Sequence, residues 1–299
     1  MTEIITDADI RARLTAADAV AAMRAAVLAE DLVAPPRVST GLGDGRMVFT
    51  VGGRPGHWYG FRSYDTLGLA DGEQAVVLHD GTTGRIAGIA VGELLGQFRT
   101  GALGGVAVDA IARRDASTLG VVGTGAQAYA QVWAIGAVRA LTDVTVYGRD
   151  PVRRNAFVDR LRSELAVPAR AVDTPGEAAT GRDIVVLATN SGTPVIDDAW
   201  LSPGTAVTTL GPKQRGRAEF AAALAERATL LTTDSPTQLT AYDPPFVIAD
   251  TPAADRVVPL RAVLTGEAPR PADHDIRLYF SVGLAGTEVA LLAYLLGLS

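Results

Sequence analysis

The amino-acid sequence predicts an α/β protein: a doubly wound parallel sheet joined to an α+β domain built on an antiparallel sheet. Two observations carry this. From residue 118 onward, short apolar runs at 119–122, 144–147, 169–172, 184–188, 206–210 and 229–232 alternate with helical patterns. That is the rhythm of strand–helix–strand units in a parallel sheet. Earlier in the chain, 47–51, 58–64, 74–79 and 86–90 read as short strands split by Gly- and Asp-rich turns, the spacing of an antiparallel meander.

The elements follow in order. Residues 5–31 predict two short helices, with Thr6 and Thr15 as N-caps and Val20, Met23, Ala26 and Val27 recurring at helical spacing. After the meander, 93–114 reads as a helix, and Asp115-Ala116-Ser117 leads into the first parallel strand. The Pro-rich stretch 242–271 predicts loops and one short helix. The last helix, 285–296, is apolar almost all round, and such a helix packs against the first domain or a partner subunit and not against water. The expected domains are therefore 1–113, with 275–299 packing back on it, and 114–274. No internal repeat or low-complexity tract is present.

Composition narrows the function. A net charge of −6 without a basic stripe argues against a nucleic-acid partner. With no cysteine, disulfides, thiolate catalysis and Cys-based metal sites are excluded, which fits a cytoplasmic protein. Acids within M-T-E-I-I-T-D-A-D-I-R and the lack of 18 uninterrupted apolar residues predict a soluble chain with no export signal and no membrane partner. His57, His79 and His274 lie far apart, without metal-ligand spacing, so no metal is expected. Of the 27 basic side chains only Lys213 is lysine.

The most informative stretch is T-L-G-V-V-G-T-G-A-Q-A-Y-A-Q (118–131). Gly123 permits a tight turn, Gly125 lets backbone approach a pyrophosphate, and Ala128 is small enough for strand and helix to touch. Thr124, Ala126 and Gln127 complete the turn into a helix N-terminus, whose free N–H groups and partial positive charge suit an anion. The next strand follows after about 20 residues, the length of one Rossmann unit. A nicotinamide dinucleotide is the expected cofactor.

Four blocks then carry a resemblance: Q-F-R-T-G-A-L-G-G (97–105), L-G-V-V-G-T-G-A-Q-A (119–128), L-G-P-K-Q-R-G-R-A-E-F (210–220) and S-V-G-L-A-G-T-E (281–288). In order and spacing the chain resembles the ornithine cyclodeaminase/mu-crystallin family, which includes ornithine and lysine cyclodeaminases, alanine dehydrogenases and ketimine or cyclic-imine reductases. The resemblance implies a homodimer formed through the antiparallel-sheet domain, and an active site between that domain and the Rossmann domain.

It also implies site residues. Arg99 falls on an arginine at the substrate–cofactor junction, where its planar head could hold a carboxylate by two hydrogen bonds. Arg62 stands where the family usually has a substrate-binding lysine, and Arg37 matches another arginine of the pocket. Ala188 and Thr189 border the nucleotide. Ser281 lines the cofactor and Val282 the substrate, with Phe280 replacing a frequent lysine and making that side of the pocket more apolar. In the third block Gly211, Gly216 and Glu219 keep the family frame, and Arg217 replaces a lysine near the cofactor. Lys213 replaces the aspartate that works as acid/base in the cyclodeaminases.

The charge at the end of the second Rossmann strand sets cofactor preference. NAD-using members have an aspartate after the position of Tyr147; here Gly148 and Arg149 follow, with Arg154 nearby. Losing the acid and gaining guanidinium groups favours NADP(H), whereas Asp150, one position on, keeps NAD(H) open. The reading is an NADP(H)-preferring oxidoreductase reducing an imine, a cyclic ketimine or a 2-oxo acid plus amine, to an amino acid. Arg37, Arg62 and Arg99 would hold the carboxylate and Lys213 would manage the proton. An ornithine cyclodeaminase recycling bound NAD and a ligand-binding protein that retains NADPH with little turnover are the alternatives.

Overall fold

In the computed structural model of the chain, residues 2–69, 72–268 and 271–298 are described; they form two compact units, 1–99 with 283–299, and 100–282. The first opens on β1 (Glu3–Thr6). Thr6 ends this strand and caps α1 (Asp7–Arg13) in a reciprocal box with Asp9, and Thr15 caps α2 (Ala16–Leu28). Both caps are those expected.

The meander comprises β2 (Val38–Leu42), β3 (Gly45–Arg54), β4 (Trp58–Asp65), β5 (Ala75–Asp80) and β6 (Ile86–Val91), and the sheet order is β1-β6-β5-β4-β3-β2. β1 joins it parallel to β6. The two edge strands went unforeseen for a physical reason. β1 buries only Ile5 and β2 buries nothing, so neither shows the period-2 apolar signal of a half-buried strand. On one face the C-terminal helix, Thr287–Leu295, packs on β3, β4, β5 and α2, as its all-round apolarity required. Elsewhere the sheet leaves Phe49, Val51 and Tyr59 exposed, around a hollow also lined by Phe61 and His79.

α3 (Leu94–Ile111) begins in the first unit and continues in the second. From Thr100 onward it lies against the next helix, α4 (Ala126–Gly136): a methyl at Gly101 would sit 2.3 Å from the Ala130 carbonyl oxygen, and Gln131 donates to the Thr100 carbonyl at 3.1 Å. The units therefore part after Arg99, earlier than the expected boundary at 113.

The second unit continues with β7 (Thr118–Val122) before α4, then β8 (Asp143–Tyr147), α5 (Pro151–Leu165), β9 (Ala169–Ala171), α6 (Pro175–Ala179), β10 (Ile184–Leu187) and β11 (Ala206–Thr209). A two-stranded hairpin, β12 (Lys213–Gln214) and β13 (Arg217–Ala218), precedes α7 (Ala222–Arg227), β14 (Leu230–Thr233), α8 (Pro236–Thr240), β15 (Val257–Pro259), α9 (Leu260–Thr265) and β16 (Arg277–Phe280). Eight strands form one sheet in the order β15-β14-β16-β11-β10-β7-β8-β9, every pair parallel. Strand order reverses between β7 and β10, the switch point at which open α/β sheets bind ligands beyond the strand ends.

The six strands expected here are present, and β15 and β16 are additions. β16 opens with Arg277, 2% exposed, whose head donates to the carbonyls of Gly204 and Ala272; a charged first residue hides a fully buried strand. Because β16 pairs with β11 and β14, residues 275–282 belong to the second unit, and the chain returns to the first at Gly283 and not at 275. Within the Pro-rich stretch, Pro269 and Arg270 lie outside the described residues.

Candidate active site

In the second unit the site is built on the β7–α4 turn. Gly123 has φ +127°, and a methyl there would lie 2.2 Å from the Ala188 carbonyl oxygen, so only glycine fits this crossing of β7 and the end of β10. Its N–H donates to the Tyr147 carbonyl at 2.9 Å. Gly125 differs: a methyl there would meet nothing within 4 Å, and the residue caps α4 without any side-chain hydrogen bond. Thr124 is half-buried, Gly125 and Ala126 are exposed, Ala128 is fully buried, and Gln127 keeps a buried Oε1 without a partner. Open approach at Gly125 and uncapped N–H groups behind it fit a dinucleotide pyrophosphate.

At the end of β8, Arg149 is exposed and carries no ion pair among the described residues. Asp150 caps α5, accepting from the N–H groups of Val152 (2.9 Å) and Arg153 (3.2 Å). Arg154 reaches Asp173 at 2.8 Å and the Gly148 carbonyl at 3.5 Å. It braces the turn that carries Arg149.

Beyond β10 and β11 the organiser is Glu219, 0% exposed. Its Oε2 accepts from the Thr189 N–H and hydroxyl, both at 2.9 Å, and its Oε1 from the N–H groups of Leu210 (3.0 Å) and Gly211 (2.5 Å). One carboxylate thus ties two strand ends together. Lys213, 2% exposed, donates from Nζ to the Gly211 carbonyl at 2.6 Å, and the hairpin that carries it places Arg217 at the surface. Ser281 donates its backbone N–H to the Thr209 carbonyl and Val282 to Asp234 Oδ1. Val282 is only 3% exposed, within the apolar core. Phe280 corrects an expectation. It is fully buried between Phe220 and Phe246, with ring centroids 5.6 and 5.1 Å away, so it is a core residue and forms no pocket wall.

The first unit holds a buried charge cluster. Arg62, on β4, donates from Nη1 to Glu288 at 2.7 Å, and Arg99, on α3, pairs through Nη2 with the same oxygen at 2.8 Å. Glu288 lies in the first turn of the C-terminal helix and is 0% exposed. Burial alone pushes its carboxyl up, but Arg99 first and then Arg62 outweigh that and hold it below the usual carboxylate range. Two of the three expected arginines therefore meet, while Arg37 is exposed just before β2. Glu288 escaped sequence reasoning. Its signal was an acid opening an otherwise apolar helix, which reads equally well as a favourable charge at a helix N-terminus.

Residues 58–296 match the family model of the ornithine cyclodeaminase/mu-crystallin family, and the chain belongs to that family. A Delta(1)-pyrroline-2-carboxylate reductase of Bacillus cereus is 32% identical over 225 residues, covering 74% of this chain and 69% of its own. Among solved structures, a probable ornithine cyclodeaminase from Bordetella pertussis Tohama I is 28% identical, with a TM-score of 0.90 over 99% of this chain and 96% of that one. A Thermococcus litoralis Delta(1)-pyrroline-2-carboxylate reductase, in complex with NADH and L-proline, shares the fold at a TM-score of 0.90 with 21% identity, over 99% and 97% of the two chains. No helix among the described residues is long and apolar enough to cross a membrane.

Proposed function

We propose that this chain is an NAD(P)H-dependent oxidoreductase that reduces an imine of a 2-oxo acid, cyclic or formed with an amine, to the amino acid. The observation that carries this reading is Lys213: a buried amine at the C-terminal end of the parallel sheet, already acting as a donor to the Gly211 carbonyl. Protonated lysine can give a proton and cannot take one. That favours a step in which the substrate nitrogen gains a proton, and disfavours the base-dependent deamination of a diamino acid. The relative named as a pyrroline-2-carboxylate reductase supports the same direction.

A bound nicotinamide would supply the hydride. The chain's own part is to position and to protonate. The turn from Gly123 to Gln127 holds the pyrophosphate, with Ala188, Thr189, Gly211, Arg217 and Ser281 bordering the nucleotide. Arg99 grips the substrate carboxylate in positive surroundings set by Arg62, with Arg37 outside the buried cluster and Val282 behind the substrate. Lys213 passes its proton to the imine nitrogen. Preference for NADP(H) over NAD(H) is supported by Arg149, exposed and unpaired among the described residues, and by Asp150, whose carboxylate is engaged in capping α5. The exposed apolar side chains Phe49, Val51 and Tyr59 support a homodimer formed through the first unit's sheet.

The test is spectrophotometric. Purified protein with NADPH should lose the reduced-nicotinamide absorbance on addition of pyrroline- or piperideine-2-carboxylate, or of pyruvate with an amine. Ammonia release from ornithine without net cofactor change would replace this reading with cyclodeamination, and cofactor binding without either activity would replace it with ligand retention.

A further inference from the structure

Of the 27 lysine and arginine side chains, Lys213 alone is a primary amine. The difference is chemical. A guanidinium stays charged and is no nucleophile, whereas a lysine amine that has lost its proton attacks carbonyl carbon. A lysine ordinarily runs its stem along the surface and leaves its head in water. Lys213 does the opposite: it is 2% exposed, and Nζ turns back to the Gly211 carbonyl at 2.6 Å. The backbone around it is held from three directions. Lys213 pairs with Ala218 in the hairpin, its carbonyl accepts from the Val247 N–H at 2.7 Å, and the Pro212 carbonyl accepts from the Glu219 N–H at 2.8 Å. The amine is thus set in place just beyond β11, at the end of the parallel sheet where β7 runs into the glycine turn.

A lysine that hands its proton to a substrate nitrogen is left neutral, and a buried site holds the neutral amine at less cost than the charged one. The neutral amine still has two N–H groups, so it keeps its hydrogen bond to Gly211 while its lone pair points away from that carbonyl. The nitrogen and the electrophilic carbon of an imine are adjacent atoms, so an amine placed to protonate one is within reach of the other. We infer that Lys213 is a nucleophile as well as a proton donor: it condenses with a free 2-oxo acid to a Schiff base, and an incoming amine then takes the carbon over. The neutral amine that one turnover leaves starts the next. In the first step the Nζ lone pair bonds to C2, the C2–oxygen bond breaks, and both amine hydrogens leave with that oxygen as water. In the second the incoming amine bonds to C2, the C2–Nζ bond breaks, and the incoming amine's two hydrogens pass to Nζ. The sum is 2-oxo acid plus amine giving imine plus water, with nothing oxidised or reduced and Lys213 restored. The chain then makes the imine that it reduces. The choice of a 2-oxo acid as partner rests on the reductase reading above; the burial and setting of the amine do not.

Cyanoborohydride trapping tests this on the full chain, with and without oxidised nicotinamide cofactor. Folded protein given pyruvate should gain the mass of one pyruvic acid less one oxygen atom, and peptide mapping should place the gain at residue 213. The chain's α-amine is the one other primary amine, and mapping separates the two. Lys213→Arg keeps a cation and should lose the label. Where thermal melts show that this variant does not fold, wild type decides alone, because guanidinium-unfolded chain should label at 213 far more slowly than folded chain. Methylamine, with pyruvate kept in excess over it, should lower the trapped fraction, since it takes the carbon from Nζ. Three results overturn the inference: no adduct under either condition, equal labelling of folded and unfolded chain, or a trapped fraction that methylamine leaves unchanged. An adduct at 213 in a chain that oxidises NADPH with no imine would remove the reductase reading and leave the inference standing. Reduction of pyrroline-2-carboxylate without any adduct would do the reverse.

Discussion

Glu219 and Glu288 are both 0% exposed carboxylates, and the two units neutralise them in opposite ways. Glu219 takes four neutral donors, three of them backbone N–H groups from the ends of β10 and β11. Glu288 takes two guanidinium heads. A carboxylate satisfied by backbone fixes chain geometry and leaves nothing over. One satisfied by arginines leaves surplus donors and surplus charge, and that surplus is what a ligand can use. The two carboxylates differ in what their partners leave over, although burial is the same for both.

Replacing Glu219 should therefore have the largest structural effect. Glu219→Ala strands the part-buried N–H groups of Thr189, Leu210 and Gly211, at about 1–2 kcal/mol for each donor left unmade. A loss of about 3–6 kcal/mol in unfolding free energy is expected from urea titration. Hydrogen exchange at 189 and 210–211 should rise first. A loss below about 1 kcal/mol would show that water replaces the carboxylate and that these strand ends need no tie.

Glu288→Gln should cost slightly less, about 3–5 kcal/mol, because it leaves two buried arginines sharing a neutral amide. This cost carries a pH signature that a packing defect would lack. The folded-state pKa of Glu288 is lowered, so its contribution is fully present above the unfolded carboxyl value of about 4.3 and is lost as pH falls through the lower folded value. The stability gap between wild type and Glu288→Gln should hold from neutral pH to about pH 5 and narrow progressively as pH falls below about 4.3 toward the lowered folded value. A gap independent of pH would mean that shape, and not charge, holds the cluster.

Lys213, the proposed proton donor, is held by the same scaffold: Glu219 fixes the Gly211 N–H and the Gly211 carbonyl receives Nζ. Lys213→Met keeps length and burial but removes the proton. Turnover should fall by about 10², the lower range for a positioned acid/base, with cofactor affinity unchanged by fluorescence titration. Unchanged turnover would reduce the lysine to a strut for Gly211.

What could be read from sequence follows from how each element is buried. β7, β8, β10 and β11 were legible because strands covered on both faces read as unbroken apolar runs. β2, wholly exposed, and β16, headed by Arg277, were not. The glycine turn was legible because its constraints are local. The pairing of Arg62 and Arg99 through Glu288 joins residues more than 180 positions apart on three elements, and no local pattern encodes such a meeting. Phe280 failed for the converse reason: its neighbours in sequence belong to the candidate site, but its side chain joins Phe220 and Phe246 in the core.

The smallest expected effect concerns Arg149, and it bears on how far surplus charge marks recognition in the second unit too. Arg149 is exposed with no ion pair among the described residues, whereas its neighbour Arg154 is braced on Asp173 and the Gly148 carbonyl. On the proposed reading, Arg149 would contact the cofactor and Arg154 would support the turn. Arg149→Ala should then weaken NADPH by about tenfold, the value of one charge-assisted contact at a solvated site, while NADH binding changes little. The NADPH effect should shrink in about 0.5 M salt, where screening shortens to a few ångströms. Arg154→Ala should weaken both cofactors together, because it loosens the turn itself. Equal loss of NADPH and NADH on Arg149→Ala would place the cofactor's 2′ position elsewhere and would return Asp150 to consideration as a partner of the NAD ribose.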